Sequence, residues 1–167
     1  MGDKVVLPCL KFIDLSNSLR LKRLPDVSWA PNVERLVLSY CFSLVEVHES
    51  LGSLKRLVYL DMGGCNRLRC LPSRIEMESL ETLNISYCRS LETFPEVSPC
   101  MVKLSEINVF GCGTNLENNI PNSIREFCTS FPKLRRLYPL YLPKLRSFKK
   151  RSPPNKECYS KTKNRKF

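Results

Sequence analysis

LVYLDMGGCNRLRCLPSRIEMESL, residues 57–80, sets its large apolar residues in an uneven rhythm that recurs along most of the chain. Counting from Leu57, they fall at Leu60, Met62, Cys65, Leu68 and Leu71, with Pro72 next. The same offsets of 0, 3, 5, 8, 11 and 14 locate Leu80, Leu83, Ile85, Cys88, Leu91 and Phe94 before Pro95, and also Val33, Leu36, Leu38, Cys41, Leu44 and Val47. They locate Leu10, Ile13, Leu15, Ser18, Leu21 and Leu24 before Pro25, then Leu104, Ile107, Val109 and Cys112, and finally Leu134, Leu137, Pro139, Leu142, Leu145 and Phe148. The first five starts are separated by 23, 24, 23 and 24 residues.

Offsets 3 and 5 alternate as a short strand does, with both side chains facing inward, while offsets 2, 4 and 6 face out. Beyond offset 5 the spacing becomes three, and the prolines with the Gly, Asn and Arg between them argue against a long return helix and favour irregular or one-turn 3₁₀ returns. A mixed period of 23 to 24 residues is that of a leucine-rich repeat. The expected fold is therefore an α/β-type solenoid, a leucine-rich repeat arc of about six turns over residues 1–148 with a parallel sheet on its concave face. Strands are expected at about 11–15, 34–38, 58–62, 81–85, 105–109 and 135–138. One turn cannot bury its apolar face alone, so stability is collective along the stack. The rhythm slips over 113–133, where Ile124 and Phe127 suit a short helical turn, and Pro139 at an inward strand position suits an edge strand that ends the array.

The net charge of +11 divides unevenly: residues 143–167 hold ten Lys or Arg against Glu157, leaving only +2 for the rest. Residues 149–167 are few in apolar groups and are expected to form a basic disordered tail. No stretch has the length or hydropathy of a membrane span, the start lacks the apolar core of a signal peptide, and Val6 stands where myristoylation requires Ser or Thr. Cys41, Cys65, Cys88 and Cys112 share offset 8, which makes them a ladder of small core groups whose thiols can donate weakly to backbone carbonyls. No CxxC pair accompanies them and His48 is the only histidine, so neither a metal nor a cofactor is expected. Free thiols imply a reducing compartment.

The spacing LxxLxLxxCxxLxxLP, carried by Leu57–Pro72 and Leu80–Pro95, resembles the intracellular repeats of plant nucleotide-binding immune receptors. LKFIDLSNSLRLKRLPD (10–26) and LETLNISYCRSLETFPE (80–96) are similar to the class that carries an N-terminal TIR domain, and the likeness runs over about residues 7–148. Without a GxxxxGK[ST] loop the chain is not expected to bind nucleotide. The resemblance implies a non-catalytic recognition module in plant disease resistance, one that binds a pathogen effector or host partner or makes an autoinhibitory contact. The alternative is the substrate-recruiting repeat domain of an F-box-type ubiquitin ligase subunit, whose repeats also carry Cys but whose CxxITD-like return is here replaced by LP.

Stacked turns align the outward positions into ladders on the concave face, the expected protein-binding surface. Offset 2 contributes Phe12, Arg35, Tyr59, Thr82 and Glu106; offset 4 contributes Asp14, Val37, Asp61, Asn84 and Asn108; Tyr40 and Tyr87 come from offset 7 and Phe110 from offset 6. Aromatic residues and Arg beside small ones are the composition of a protein-binding patch. A Cys–His catalytic pair is not expected, since Cys41 belongs to the core ladder and His48 to a return. In the tail, Lys149, Lys150 and Arg151, followed by Lys161, Lys163, Arg165 and Lys166, resemble a bipartite nuclear localisation signal, which implies an importin; the alternative is a nonspecific anionic partner. The expected location is the cytoplasm, with the nucleus added if the tail is an address.

Overall fold

The computed structural model describes residues 5–92, 96–98, 100–112 and 133–138. The expectations for 113–132, Phe94, Pro95, Pro139, Leu142, Leu145, Phe148 and the whole tail, with its seven signal residues, lie outside the described residues.

Six strands form one parallel sheet: β1 (Phe12–Asp14), β3 (Arg35–Val37), β5 (Tyr59–Asp61), β7 (Thr82–Asn84), β9 (Glu106–Asn108) and β10 (Arg136–Tyr138), in that spatial order. Each occupies offsets 2 to 4, and the register joins equal offsets, as in Leu36↔Leu60↔Leu83↔Ile107↔Leu137. Pairing continues past the strands, where the amide of Leu38 donates to the Asp61 carbonyl at 2.7 Å and that of Met62 to the Asn84 carbonyl at 2.8 Å. The solenoid expected from the spacing is therefore present, with four turns described nearly end to end and two more represented by their strands.

The returns are almost without helix. Among the described residues the helical content is one 3₁₀ stretch, Glu49–Ser53, whose N-cap is His48: its Nδ1 accepts from the Ser50 amide at 3.1 Å. Two pairs of two-residue strands lie on the return side, β2 (Arg23–Leu24) with β4 (Glu46–Val47) and β6 (Arg74–Ile75) with β8 (Glu96–Val97). These pairs had no apolar alternation long enough to announce them. Exposed ion pairs link successive turns, Lys11 to Glu34 at 2.6 Å and Arg23 to Glu46 at 2.9 Å, and each adds little stability by itself.

The inward offsets build one continuous core. Val33, Leu36, Leu38, Cys41, Leu44, Leu57, Leu80 and Leu104 are wholly buried. Leu10, Ile13, Leu15 and Leu21 of the first turn are only partly covered, because β1 is paired on one side alone.

The thiol ladder is regular. Each offset-8 Sγ donates to the offset-5 carbonyl of the preceding turn: Cys41 to Leu15 at 3.1 Å, Cys65 to Leu38 at 3.1 Å, Cys88 to Met62 at 3.3 Å and Cys112 to Ile85 at 3.0 Å. The same carbonyls also accept the offset-8 amide of their own turn, so a small S–H suits the remaining lone pair. Burial pushes the Cys65 and Cys112 thiols up to about 12, and those of Cys41 and Cys88 upward as well. A thiol at about 12 is roughly 10⁻⁵ ionised at pH 7, and the thiolate is the reactive form. Among the described cysteines, exposed Cys9 should react first in a maleimide time course. Cys70, raised by burial and then by Glu46, Glu49 and Glu92, should follow it, and the ladder should react only on unfolding. Labelling of Cys65 at the rate of Cys9 would contradict the ladder.

Candidate functional site

The outward positions of the stacked turns form three ladders that do three different jobs.

Offset 2 is the open ladder. The Arg35 guanidinium lies 4.0 Å from the centroid of the Tyr59 ring and 5.9 Å from that of Phe12. Strand pairing sets Phe12 opposite Arg35 and Arg35 opposite Tyr59, so the cation is held between two rings on neighbouring strands. Phe12 is 51% exposed, and Arg35 makes no ion pair among the described residues. Cation–π contact of this kind is worth about 0.5–1 kcal/mol at exposed sites and fixes an otherwise mobile side chain. Further along, Thr82 stands beside Glu106, whose carboxylate meets Arg136 at 3.6 Å.

Offset 4 closes the strands. Asp14, Asp61, Asn84 and Asn108 each turn a side-chain oxygen onto the amide two residues on, at 2.8, 2.8, 3.1 and 3.1 Å, which is the Asx-turn geometry. Asp61 Oδ1 also accepts from Asn84 Nδ2 at 2.8 Å, and its Oδ2 accepts from the Tyr59 hydroxyl at 3.4 Å. The Asp14 carboxyl is held below its ordinary value by the Ser16 hydroxyl and then by the Ser16 amide. Val37, expected to face out, is 9% exposed and belongs more to the packed surface than to an open face. The Asp and Asn residues hold the bend, each committing one side-chain oxygen to it.

Offset 7 is a backbone position. Asn17, Tyr40, Gly64, Tyr87 and Gly111 all have φ between 58° and 79°. This left-handed conformation turns the chain off the sheet, and Gly or Asn adopts it with little strain whereas Tyr does not. Tyr and Gly alternate for a reason the spacing could not reveal. A Cβ on Gly64 would sit 2.7 Å from the Tyr40 ring, and one on Gly111 would sit 2.8 Å from the Tyr87 ring, so each ring lies over the glycine of the following turn. Tyr40 meets Phe42 edge to face at 6.1 Å and Tyr87 meets Phe110 at 5.4 Å. All four rings remain 40–53% exposed, which gives the strand-exit rim two aromatic pairs. Phe42 was not among the sequence-derived site residues, and its place after the bend gave no periodic signal.

Among the described residues no group of His, Cys, Asp and Glu could hold a metal ion, and no helix is long and apolar enough to cross a membrane. The fold and this face define a leucine-rich repeat solenoid of the cysteine-bearing type. Over 47 residues the chain is 49% identical to disease resistance protein RPV1 of Vitis rotundifolia, a match covering 28% of this chain and 3% of that protein. It is 45% identical over 56 residues to disease resistance protein RUN1 of the same species, covering 34% of this chain and 4% of the relative. It is also 48% identical over 52 residues to TMV resistance protein N of Nicotiana glutinosa, covering 31% and 4%. The chain is thus a relative of plant disease resistance proteins, and its matches span about 3–4% of the length of these curated relatives. No family model matches the chain, and no solved structure matches it.

Proposed function

We propose that this chain is a non-catalytic protein-recognition segment acting in plant disease resistance. Its concave face contacts a pathogen effector, a host partner or another part of a receptor. The kinship with disease resistance proteins supports the setting. The observation that carries the mode of action is the Phe12–Arg35–Tyr59 stack, an aromatic and Arg cluster of the kind that dominates binding energy, held rigid on paired strands. The tail serves as a nuclear address in the same reading, with an importin as its partner, and the chain works in the cytoplasm and nucleus.

Proximity labelling in leaf tissue should compare the chain with a triple variant, Phe12→Ala, Arg35→Ala and Tyr59→Ala. The variant should lose a defined set of labelled proteins while its unfolding temperature falls by only a few degrees, since the three side chains lie outside the core and their mutual contacts are worth about 0.5–1 kcal/mol each. An unchanged set of labelled proteins would remove the concave stack from the proposal. In the same tissue a fluorescent fusion ending at residue 148 should spread out of the nucleus, and identical distributions of the two fusions would reduce the tail to solvated chain.

A further inference from the structure

At the entry ends of the last strands lies a cleft of about 320 Å³ lined by Glu81, Lys103, Ser105, Lys133 and Arg135. Glu81, Ser105 and Arg135 occupy offset 1 of successive turns, just before β7, β9 and β10, while Lys103 and Lys133 immediately precede their repeat starts. The same strip is balanced at the other end of the array, where Lys11 at offset 1 meets Glu34 at 2.6 Å, and Lys55 in the approach to its repeat meets Glu78 at 2.8 Å. Among the described residues the balance is broken here, with three cations facing one carboxylate. Among the described residues none of Lys103, Lys133 and Arg135 has an acidic partner within ion-pair distance. The backbone of the cleft is already satisfied, since the Arg135 and Arg136 amides both donate to the Ser105 carbonyl, at 2.8 and 3.0 Å, and the Ser105 hydroxyl donates to the Glu81 carbonyl at 3.1 Å. The side-chain charge is therefore the unused capacity of this site.

We propose that this cleft binds a phosphate monoester dianion. A surplus of two positive charges neutralises one such group, whereas a polyanion such as nucleic acid would call for an extended basic stripe. Two lysines supply compact charge, and the Arg135 fork can hold two phosphate oxygens at once. The volume lies at the lower end of the range for small-molecule sites and accommodates a phosphoryl group with the atoms that link it, so the group is carried by a phosphorylated side chain or by a free phosphate compound. Glu81 limits the affinity by facing the same anion.

The test is fluorescence anisotropy of a phosphoserine peptide on the full chain, with the unphosphorylated peptide and inorganic phosphate as the other arms. Saturable binding of the phosphopeptide should weaken about tenfold or more in the double variant Lys103→Gln, Arg135→Gln. It should tighten about threefold in Glu81→Gln, as a like charge is removed. Both variants leave the tail intact, so any binding by the tail survives in them and is separated from binding by the cleft. Inorganic phosphate displacing the peptide with equal affinity would assign the site to free phosphate, and weaker displacement would assign it to phosphorylated protein; either supports the anion site. Equal binding of both peptides, or binding unchanged in the double variant while circular dichroism shows both chains folded, would overturn it.

Discussion

Leu83→Asp should abolish cooperative unfolding of the array. Leu83 is 2% exposed, lies in the fourth of the six strands of the sheet, and its register neighbours are Leu60 and Ile107, themselves 1% and 0% exposed. Truncating such a side chain alone costs about 2–5 kcal/mol. A carboxylate placed there finds no cation, because the neighbouring inward positions are apolar, and it must either be buried charged or take up a proton, at several kcal/mol more. The sum is comparable with the whole stability of an ordinary domain, about 5–15 kcal/mol. Thermal unfolding followed by circular dichroism should show no cooperative transition near physiological temperature. One residue earlier, Thr82→Lys faces outward beside Glu106, and it should change stability by no more than about 0.5 kcal/mol. Equal behaviour of the two variants would mean that the alternation across β7 does not separate core from surface.

The fold was legible because the repeat turns each make the same statement. A single LxxLxL fits many structures, but the register Leu36↔Leu60↔Leu83↔Ile107 needs every turn to present an apolar residue at one offset, and the sequence does so. The thiol ladder was legible for the same reason, but the spacing did not say that the accepting carbonyls would be those of offset 5 in the preceding turn. The concave site was legible only in outline. Spacing says which side chains point outward and says nothing of what they do there. Asp14, Asp61, Asn84 and Asn108 look like a polar binding ladder until their oxygens are found on the amides that close each strand. Tyr40 and Tyr87 look like anchors set beside unremarkable glycines. Their rings in fact roof Gly64 and Gly111, so the small residue is the condition for the large one. The basic cleft escaped notice because its charges are scattered over three turns in sequence and gathered only by stacking.

Gly52 was the least conspicuous residue of all, and Gly52→Ala should be among the most damaging small substitutions in the chain. It lies in the 3₁₀ stretch Glu49–Ser53, whose end turns against the next return, where its carbonyl accepts from the Glu76 amide at 2.8 Å. A Cβ at Gly52 would stand 2.2 Å from the Arg74 carbonyl oxygen and 3.1 Å from Pro72 Cβ. The first of these is backbone, so no rotamer change relieves it, and two successive returns must move apart. The same side of the chain is tied by Glu49, which accepts from the Ser73 amide at 2.9 Å and from its hydroxyl at 2.9 Å, and separation of the returns strains those bonds too. Overpacking of this kind costs about 1–3 kcal/mol and occasionally more, and the backbone contact places Gly52→Ala at about 3 kcal/mol, a fall in Tm of roughly 6–12 °C for a chain of this size. Gly64→Ala is the informative contrast. Its added methyl meets the exposed Tyr40 ring, which can swing aside, so Tyr40→Ala should restore part of what Gly64→Ala loses and leave only the strain of φ near +79°. No second side-chain substitution should rescue Gly52→Ala to that degree. Equal rescue at both glycines, or a Gly52→Ala chain as stable as its parent, would mean that the returns are not packed backbone to backbone.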